Sequence, residues 1–318
     1  MSGDVVLELR DLQVSFGAGK HEVTVVHDVS LRVERGEIVG VVGESGSGKT
    51  LTAMAATDLL PSGARRAASA WAFDGTDLLG ADRNGRAAAL GGKLGVVFQD
   101  PMSSLNPARR VGSQLSDTSR FWGKRTRAQA HDDAVDRLRR VRIAAPERRV
   151  DDYPHEFSGG MRQRAMIAMG LMATPQLIVA DEPTTALDVT VQADVMTLLR
   201  ELNEEQGTAV LLVSHNIALV AEICHRVVVM YAGRIVEELA AADLATGARH
   251  PYTRALIGSV PTLDADLSRP LPAIGGAPPD PGHLPPGCAF AARCPLATDR
   301  CSTERPPLVD GVACWEVS

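Results

Sequence analysis

Gly43-Glu44-Ser45-Gly46-Ser47-Gly48-Lys49-Thr50 has the residue types and spacing to cradle a phosphate. The stretch fits G-x-x-x-x-G-K-[ST] at every defined position. Its glycines let backbone N–H groups turn inward around a β-phosphate, at a helix N-terminus whose dipole favours the anion. Lys49 can reach the β- and γ-phosphates of ATP, and Thr50 offers a hydroxyl to Mg2+. Contacts to ATP are therefore expected from Gly43, Ser45, Gly46, Ser47, Gly48, Lys49 and Thr50, and from Leu51 as the helix begins.

A carboxylate pair, Asp181-Glu182, ends the apolar run Leu177-Ile178-Val179-Ala180. Asp181 at the end of such a strand can hold Mg2+ through water, and Glu182 can accept a hydrogen bond from an attacking water. His215 and Gln99 also follow apolar strands. An imidazole there can touch a γ-phosphate and orient the water. Singly, an acidic strand end is often only solvated, and a lone His or Gln after a strand is more often structural. Together, these strand ends point to the sheet edge where α/β folds bind ligands.

The elements that must position them are legible as patterns. Residues 5–16 and 23–33 alternate apolar and polar side chains, as half-buried strands do. Continuous β-branched or apolar runs at 37–42, 94–98, 177–180, 209–213 and 227–230 suit strands buried on both faces. Helical spacing is expected after Leu51, over 128–141, 191–204 and 217–223. Strands alternating with helices imply a mostly parallel sheet covered on both sides. Residues 101–165 break this alternation and read as an inserted helical subdomain. Beyond about 248, Pro261, Pro270, Pro272, Pro278, Pro279, Pro281, Pro285 and Pro286 form an extended linker.

Composition sets the outer limits. With 318 residues the chain can form one large α/β domain and a small appendage. Its 45% hydrophobic and 23% charged residues are ordinary for a globular protein. The net charge of −6 gives no field towards nucleic acid or an anionic membrane. No apolar run reaches the ~20 residues of a membrane span, and Met1-Ser2-Gly3-Asp4 lacks a signal-peptide pattern. A cytoplasmic location is expected, with membrane attachment only through partners.

Between Gln99 and Asp181, Phe157-Ser158-Gly159-Gly160-Met161 opens a helix, and here the sequence resembles ABC-type ATPases. Met161 departs from the usual Gln, but the serine hydroxyl and glycine amides make the phosphate contact in the family. The resemblance covers about residues 5–250. It implies Gln99 as the Q-loop, also near Mg2+, Ala186-Leu187-Asp188 as the D-loop, His215 as the switch histidine and Phe16 stacked on adenine. It further implies that Ser158, Gly159 and Gly160 cap the ATP of a second ATPase subunit, in trans. The fold implied is a P-loop α/β domain, residues 1–250. It has a mostly parallel core sheet, an N-terminal antiparallel β subdomain and the helical insertion. A soluble ABC ATPase acting on nucleic acid is the other functional class; the acidic charge and the absence of a basic stripe speak against it.

Residues 98–107, His250-Pro251-Tyr252-Thr253-Arg254-Ala255-Leu256 and residues 288–295 are similar to the ATP-binding subunits of oligopeptide and dipeptide importers. Relatives there also import nickel or opines. This resemblance implies two transmembrane permease subunits, an external substrate-binding protein, no nucleic acid, and a place on the cytoplasmic face of the cell membrane. Residues 251–318 form the C-terminal extension and small Cys-rich segment. Its Cys288, Cys294, Cys301 and Cys314 suit a [4Fe-4S] cluster or tetrahedral Zn2+ equally well by ligand count. The resemblance favours the cluster, in a structural role. Cys224, in an apolar helix, reads as a small core residue.

Overall fold

A computed structural model describes residues 5–100, 104–184, 189–260 and 273–317. The D-loop residues Ala186-Leu187-Asp188, the stretch Pro101-Met102-Ser103 and the linker residues Pro261, Pro270 and Pro272 lie outside the described residues.

In chain order, long strands β1 (Val5–Phe16) and β2 (Val23–Glu34) precede β3 (Ile38–Val42), the phosphate-type loop and α1 (Lys49–Ala56). Short strands β4 (Ala64–Ala67), β5 (Ala70–Phe73) and β6 (Thr76–Asp77) follow, then β7 (Leu94–Val97). The inserted helices are α2 (Val111–Phe121), α3 (Arg127–Arg140) and α4 (Gly159–Gly170). After them come β8 (Leu177–Asp181), α5 (Val189–Gln206), β9 (Ala209–Val213), α6 (Ile217–Ile223), β10 (Arg226–Tyr231) and β11 (Arg234–Ala240). The C-terminal extension contributes α7 (Pro251–Gly258) and α8 (Asp299–Thr303). This is the expected mixed α/β architecture. Two differences stand out: β4, β5, β6 and β11 carry no clear strand pattern, and the proline-bearing stretch after 250 starts with a helix.

The chain forms two compact units. One comprises Met1–Leu7, Val33–Glu37 and Ala72–Leu212. Its strands run in the order β9-β8-β7, with β7 parallel to β8 and Val97 opposite Ala180. Every residue of β8 and of β9 up to Leu212 is buried, as a strand covered on both faces requires. The inserted helices pack on one another, α3 against α2 and α4. α3 starts at a capping box: Thr126 Oγ accepts from Gln129 N–H while Gln129 Oε1 accepts from Thr126 N–H. It buries Ala130, Ala134, Val135 and Leu138 and leaves its charges outside. Asn203 of α5 ties two turns together, donating to Gly36 O (2.9 Å) and Thr208 O (2.8 Å).

The other unit comprises Glu8–Arg32, Ile38–Trp71 and Val213–Ser318. Its strands run β11-β10-β3, with β10 parallel to β3 and antiparallel to β11. β1 pairs antiparallel with β4, from Gln13–Ala67 to Phe16–Ala64. The basic strand β4 is anchored by Arg66. Its guanidinium lies 3.4 Å over the buried Trp71 ring and donates to Asp58 (3.0 Å) and Ala55 O (2.8 Å). Among the described residues no helix is long and apolar enough to cross a membrane.

Candidate functional site

The loop between β3 and α1 can be built from its glycines. Gly43 has φ 153°, and a Cβ there would lie 2.2 Å from Met230 O, so only glycine lets the chain leave β3 this close to β10. Gly48, with φ 99°, is the N-cap of α1 and has no side chain to take up the first-turn N–H groups. Those donors at an uncapped helix start are what an anion needs. Gly46 is exposed, and a Cβ there would meet nothing within 4 Å, so the loop crest faces open space.

Two side chains complete the loop. Ser47 is 3% exposed, and its Oγ has no hydrogen-bond partner within the protein, so it is open to a ligand or a water. Lys49 is also buried, and its Nζ donates to Gly43 O (2.8 Å) and Glu44 O (2.9 Å). The ammonium is thereby held against the loop it would serve. Thr50 and Leu51 follow in the first turn of α1.

His215, two residues beyond β9, lies in the same unit as this loop. Ser214 N–H donates to Val41 O (3.0 Å), which brings the turn carrying His215 alongside the end of β3. The His215 side chain is exposed, on the residue before the N-cap Asn216 of α6. Phe16 is half-buried at the end of β1.

In the other unit the structure brings Gln99 and Glu182 together. Gln99 Nε2 donates to Glu182 Oε2 at 3.1 Å. The contact follows from register: Val97 lies opposite Ala180, so the residues two further along each strand face one another. Asp181 is buried at 6% exposure as the last residue of β8. Glu182 has φ 46°, a strained value for a residue with a side chain, and such strain clusters at functional sites. Carboxylate and amide oxygens, as Asp181 and Gln99 offer in this unit, are hard donors of the kind that suits Mg2+.

Ser158 is the exposed N-cap of α4, its Oγ accepting from Met161 N–H at 3.3 Å. Gly159 is exposed as well, with open space where a Cβ would stand. A hydroxyl and glycine N–H groups thus sit on the surface at the start of a twelve-residue helix.

Sequence reasoning missed how the C-terminal extension grips the loop. Tyr252 of α7 accepts a hydrogen bond from Glu44 N–H at 2.7 Å. Arg293 forms a bidentate pair with the Glu44 carboxylate, at 2.7 and 2.9 Å. Burial pushes the Tyr252 phenol up, while the Glu44 carboxylate raises the Arg293 guanidinium above its ordinary range. Tyr231, Tyr252 and Phe290 form an aromatic cluster beneath, with ring centroids 4.6 to 5.3 Å apart. α7 itself starts at His250, whose Nδ1 accepts from Tyr252 N–H at 3.0 Å; burial holds that imidazole at about 4, so it stays neutral.

Cys288, Cys294, Cys301 and Cys314 are free thiols that line one narrow cavity with Phe290, Pro306 and Trp315. Among the described residues, however, no three His, Cys, Asp or Glu side chains are arranged to hold a metal ion. The tetrahedral zinc expected as an alternative does not fit this arrangement. The [4Fe-4S] expectation finds no metal-holding group to support it either. Cys224 caps the end of α6, and burial pushes its thiol up to about 12, as for an inert core residue.

Comparison with known proteins identifies the family of the chain. The family described as ABC transporter matches residues 26–185, and the oligopeptide/dipeptide transporter C-terminal region matches residues 236–301. The chain is 44% identical to a probable peptide ABC transporter ATP-binding protein, y4tR, of Sinorhizobium fredii, over 98% of this chain and 95% of that one. It is 45% identical to the oligopeptide transport ATP-binding protein OppD of Escherichia coli (96% and 90% covered). Against the dipeptide transport ATP-binding protein DppD of Haemophilus influenzae identity is 42% (95% and 92% covered). Among solved structures, a dimeric post-hydrolysis state of the ATP-binding cassette MJ0796 bound to ADP and Pi superposes with a TM-score of 0.66 at 26% identity. That match covers 74% of this chain and 98% of the other.

Proposed function

Because the chain belongs to the ABC transporter ATPase family, we propose that it is the motor subunit of an importer for oligopeptides or dipeptides. The observation that carries the solute class is the match of residues 236–301 to the oligopeptide/dipeptide transporter C-terminal region, joined to relatives that are similar over nearly their whole length. Nickel or opine import by the same motor is the nearest variant of this reading.

Residues 1–250 act as the ATPase domain, with 101–165 as its helical insertion, and 251–318 as the extension. Lys49 and the loop amides bind the phosphates, Ser47 and Thr50 supply hydroxyls, and Phe16 stacks on the adenine. Thr50, Gln99 and Asp181 hold Mg2+, which neutralises phosphate charge when bound. Glu182 accepts the proton of the attacking water as the bond from the γ-phosphorus to the β–γ bridging oxygen breaks, giving ADP and phosphate. His215 contacts the γ-phosphate. Ser158, Gly159 and Gly160 cap the ATP of a second ATPase subunit, and the exposure of Ser158 and Gly159 suits that use. Two permease subunits and an external binding protein complete the assembly, which places this chain at the cytoplasmic face of the membrane.

Affinity purification from detergent-solubilised membranes tests the assembly: two integral membrane proteins are expected with the chain. Recovery with nucleic acid and no membrane protein would refute the importer reading.

The four cysteines are the ligands of a [4Fe-4S] cluster in this reading. What supports it is that all four line one cavity and that the cluster takes one thiolate per iron. Anaerobically purified protein is expected to be brown, with iron and acid-labile sulfide in stoichiometric amounts. Colourless protein lacking both overturns the cluster.

A further inference from the structure

Glu44 is one of the unspecified positions in the phosphate-loop motif, yet three of its groups are held by three different residues. Its N–H donates to Tyr252 Oη, its carboxylate takes both ends of the Arg293 fork, and its carbonyl accepts from Lys49 Nζ. Arg293 has every one of its five N–H donors engaged. Besides the two to Glu44, bonds run to Tyr231 Oη (3.2 Å), Gly275 O (2.7 Å) and Ile274 O (3.1 Å). Its side chain is only 4% exposed. A guanidinium saturated in this way, against a carboxylate and an aromatic cluster, is a fixed point. It has no donor left for a ligand.

Arg293 and Tyr252 both lie in the extension, 249 and 208 positions from Glu44. We propose that Arg293 is a positioning residue for the phosphate-binding loop, and that the extension uses it with Tyr252 to set the loop's affinity for ATP. The contacts run without a gap from Arg293 to the Glu44 carboxylate, through Glu44 to its carbonyl, and on to Lys49 Nζ. A glycine-rich loop loses conformational freedom when it closes on phosphates. Fixing Glu44 beforehand removes part of that cost, which is how preorganisation raises affinity. Arg293 touches neither the nucleotide nor the water in this scheme, so turnover of bound ATP does not depend on it. The side chain sits on the short turn Ala291–Arg293, directly before Cys294, so the cysteine segment is what holds it in place.

The test uses the full chain and a fluorescent ATP analogue, measured at equilibrium for wild type, Arg293→Gln, Glu44→Gln and the double variant. Each single change is expected to weaken binding roughly tenfold, and the double variant to be no weaker than either single one, because they cut the same link. Arg293→Lys, which keeps the charge without the fork, should recover part of the affinity. In the assembled ATPase, Arg293→Gln should raise KM for ATP and leave kcat unchanged. Wild-type affinity in the single variants, or a fall in kcat without a rise in KM, overturns the proposal. If Arg293→Gln does not fold, Glu44→Gln and Tyr252→Phe cut the link from the other side, and wild-type affinity in both overturns it equally. The inference rests on the loop taking ATP. Failure of the wild-type chain to bind the analogue sinks that reading, whereas binding indifferent to these variants sinks only this one.

Discussion

Glu182→Gln is expected to leave ATP bound and to stop its hydrolysis, with turnover of the assembled ATPase falling roughly 10²- to 10⁴-fold, the usual worth of a general base. The substitution keeps shape and the hydrogen-bonding oxygen that meets Gln99 at 3.1 Å. It removes only the ability to take a proton. Glu182 is held by backbone as well as by its partner: it follows the fully buried strand β8, at φ 46°, where the chain turns sharply out of the sheet. A side chain placed with that much strain is aimed, and a neutral amide aimed in the same way has no use for the proton of water. The measurements are phosphate release by the assembly and nucleotide binding by the same preparation. Unchanged phosphate release would remove Glu182 from the chemistry. Lost binding with lost turnover would show instead that Glu182 holds the nucleotide.

The strand ends were readable because β3, β8 and β9 are continuous apolar runs, and such runs have few alternatives to a sheet buried on both faces. Gln99 and Glu182 meet because two parallel neighbours finish in register, a consequence of the strands and not of either residue alone. β11 was unreadable for the opposite reason. Its Glu237 is 1% exposed, a burial no local pattern suggests, because N–H groups of Arg249 (2.6 Å) and His250 (3.2 Å) satisfy the carboxylate. β4 is hidden likewise, since Arg65 and Arg66 look like a solvated turn until Trp71 is placed beneath one of them. The extended linker was expected from Pro261 to Pro286, and the helix just before it went unread. Pro251 stands at the first position of α7, where its missing N–H costs nothing. The grip of Arg293 and Tyr252 on Glu44 spans most of the sequence, and nothing in the local spacing of any of the three announces it.

Lys49→Ala should abolish what Glu182→Gln preserves, the binding of ATP. The Lys49 ammonium is 5% exposed and bonded to two carbonyls of its own loop, so it is already desolvated and in position. Bound ATP would bring β- and γ-phosphate oxygens to the same ammonium. A hydrogen bond to a charged group contributes about 1.5–3 kcal/mol, so losing one to each phosphate lowers affinity on the order of 10²-fold or more. Lys49→Arg is not a safe substitute, because a planar fork cannot take the place of a compact ammonium at a buried site. Titration of the full chain with an ATP analogue, alongside a thermal melt, distinguishes lost affinity from lost structure. A folded Lys49→Ala chain that binds ATP as wild type does would mean the phosphates lie elsewhere. With Glu182→Gln retaining nucleotide and Lys49→Ala losing it, binding and hydrolysis are assigned to different residues. Arg293 then falls on the binding side, since it reaches Lys49 through Glu44.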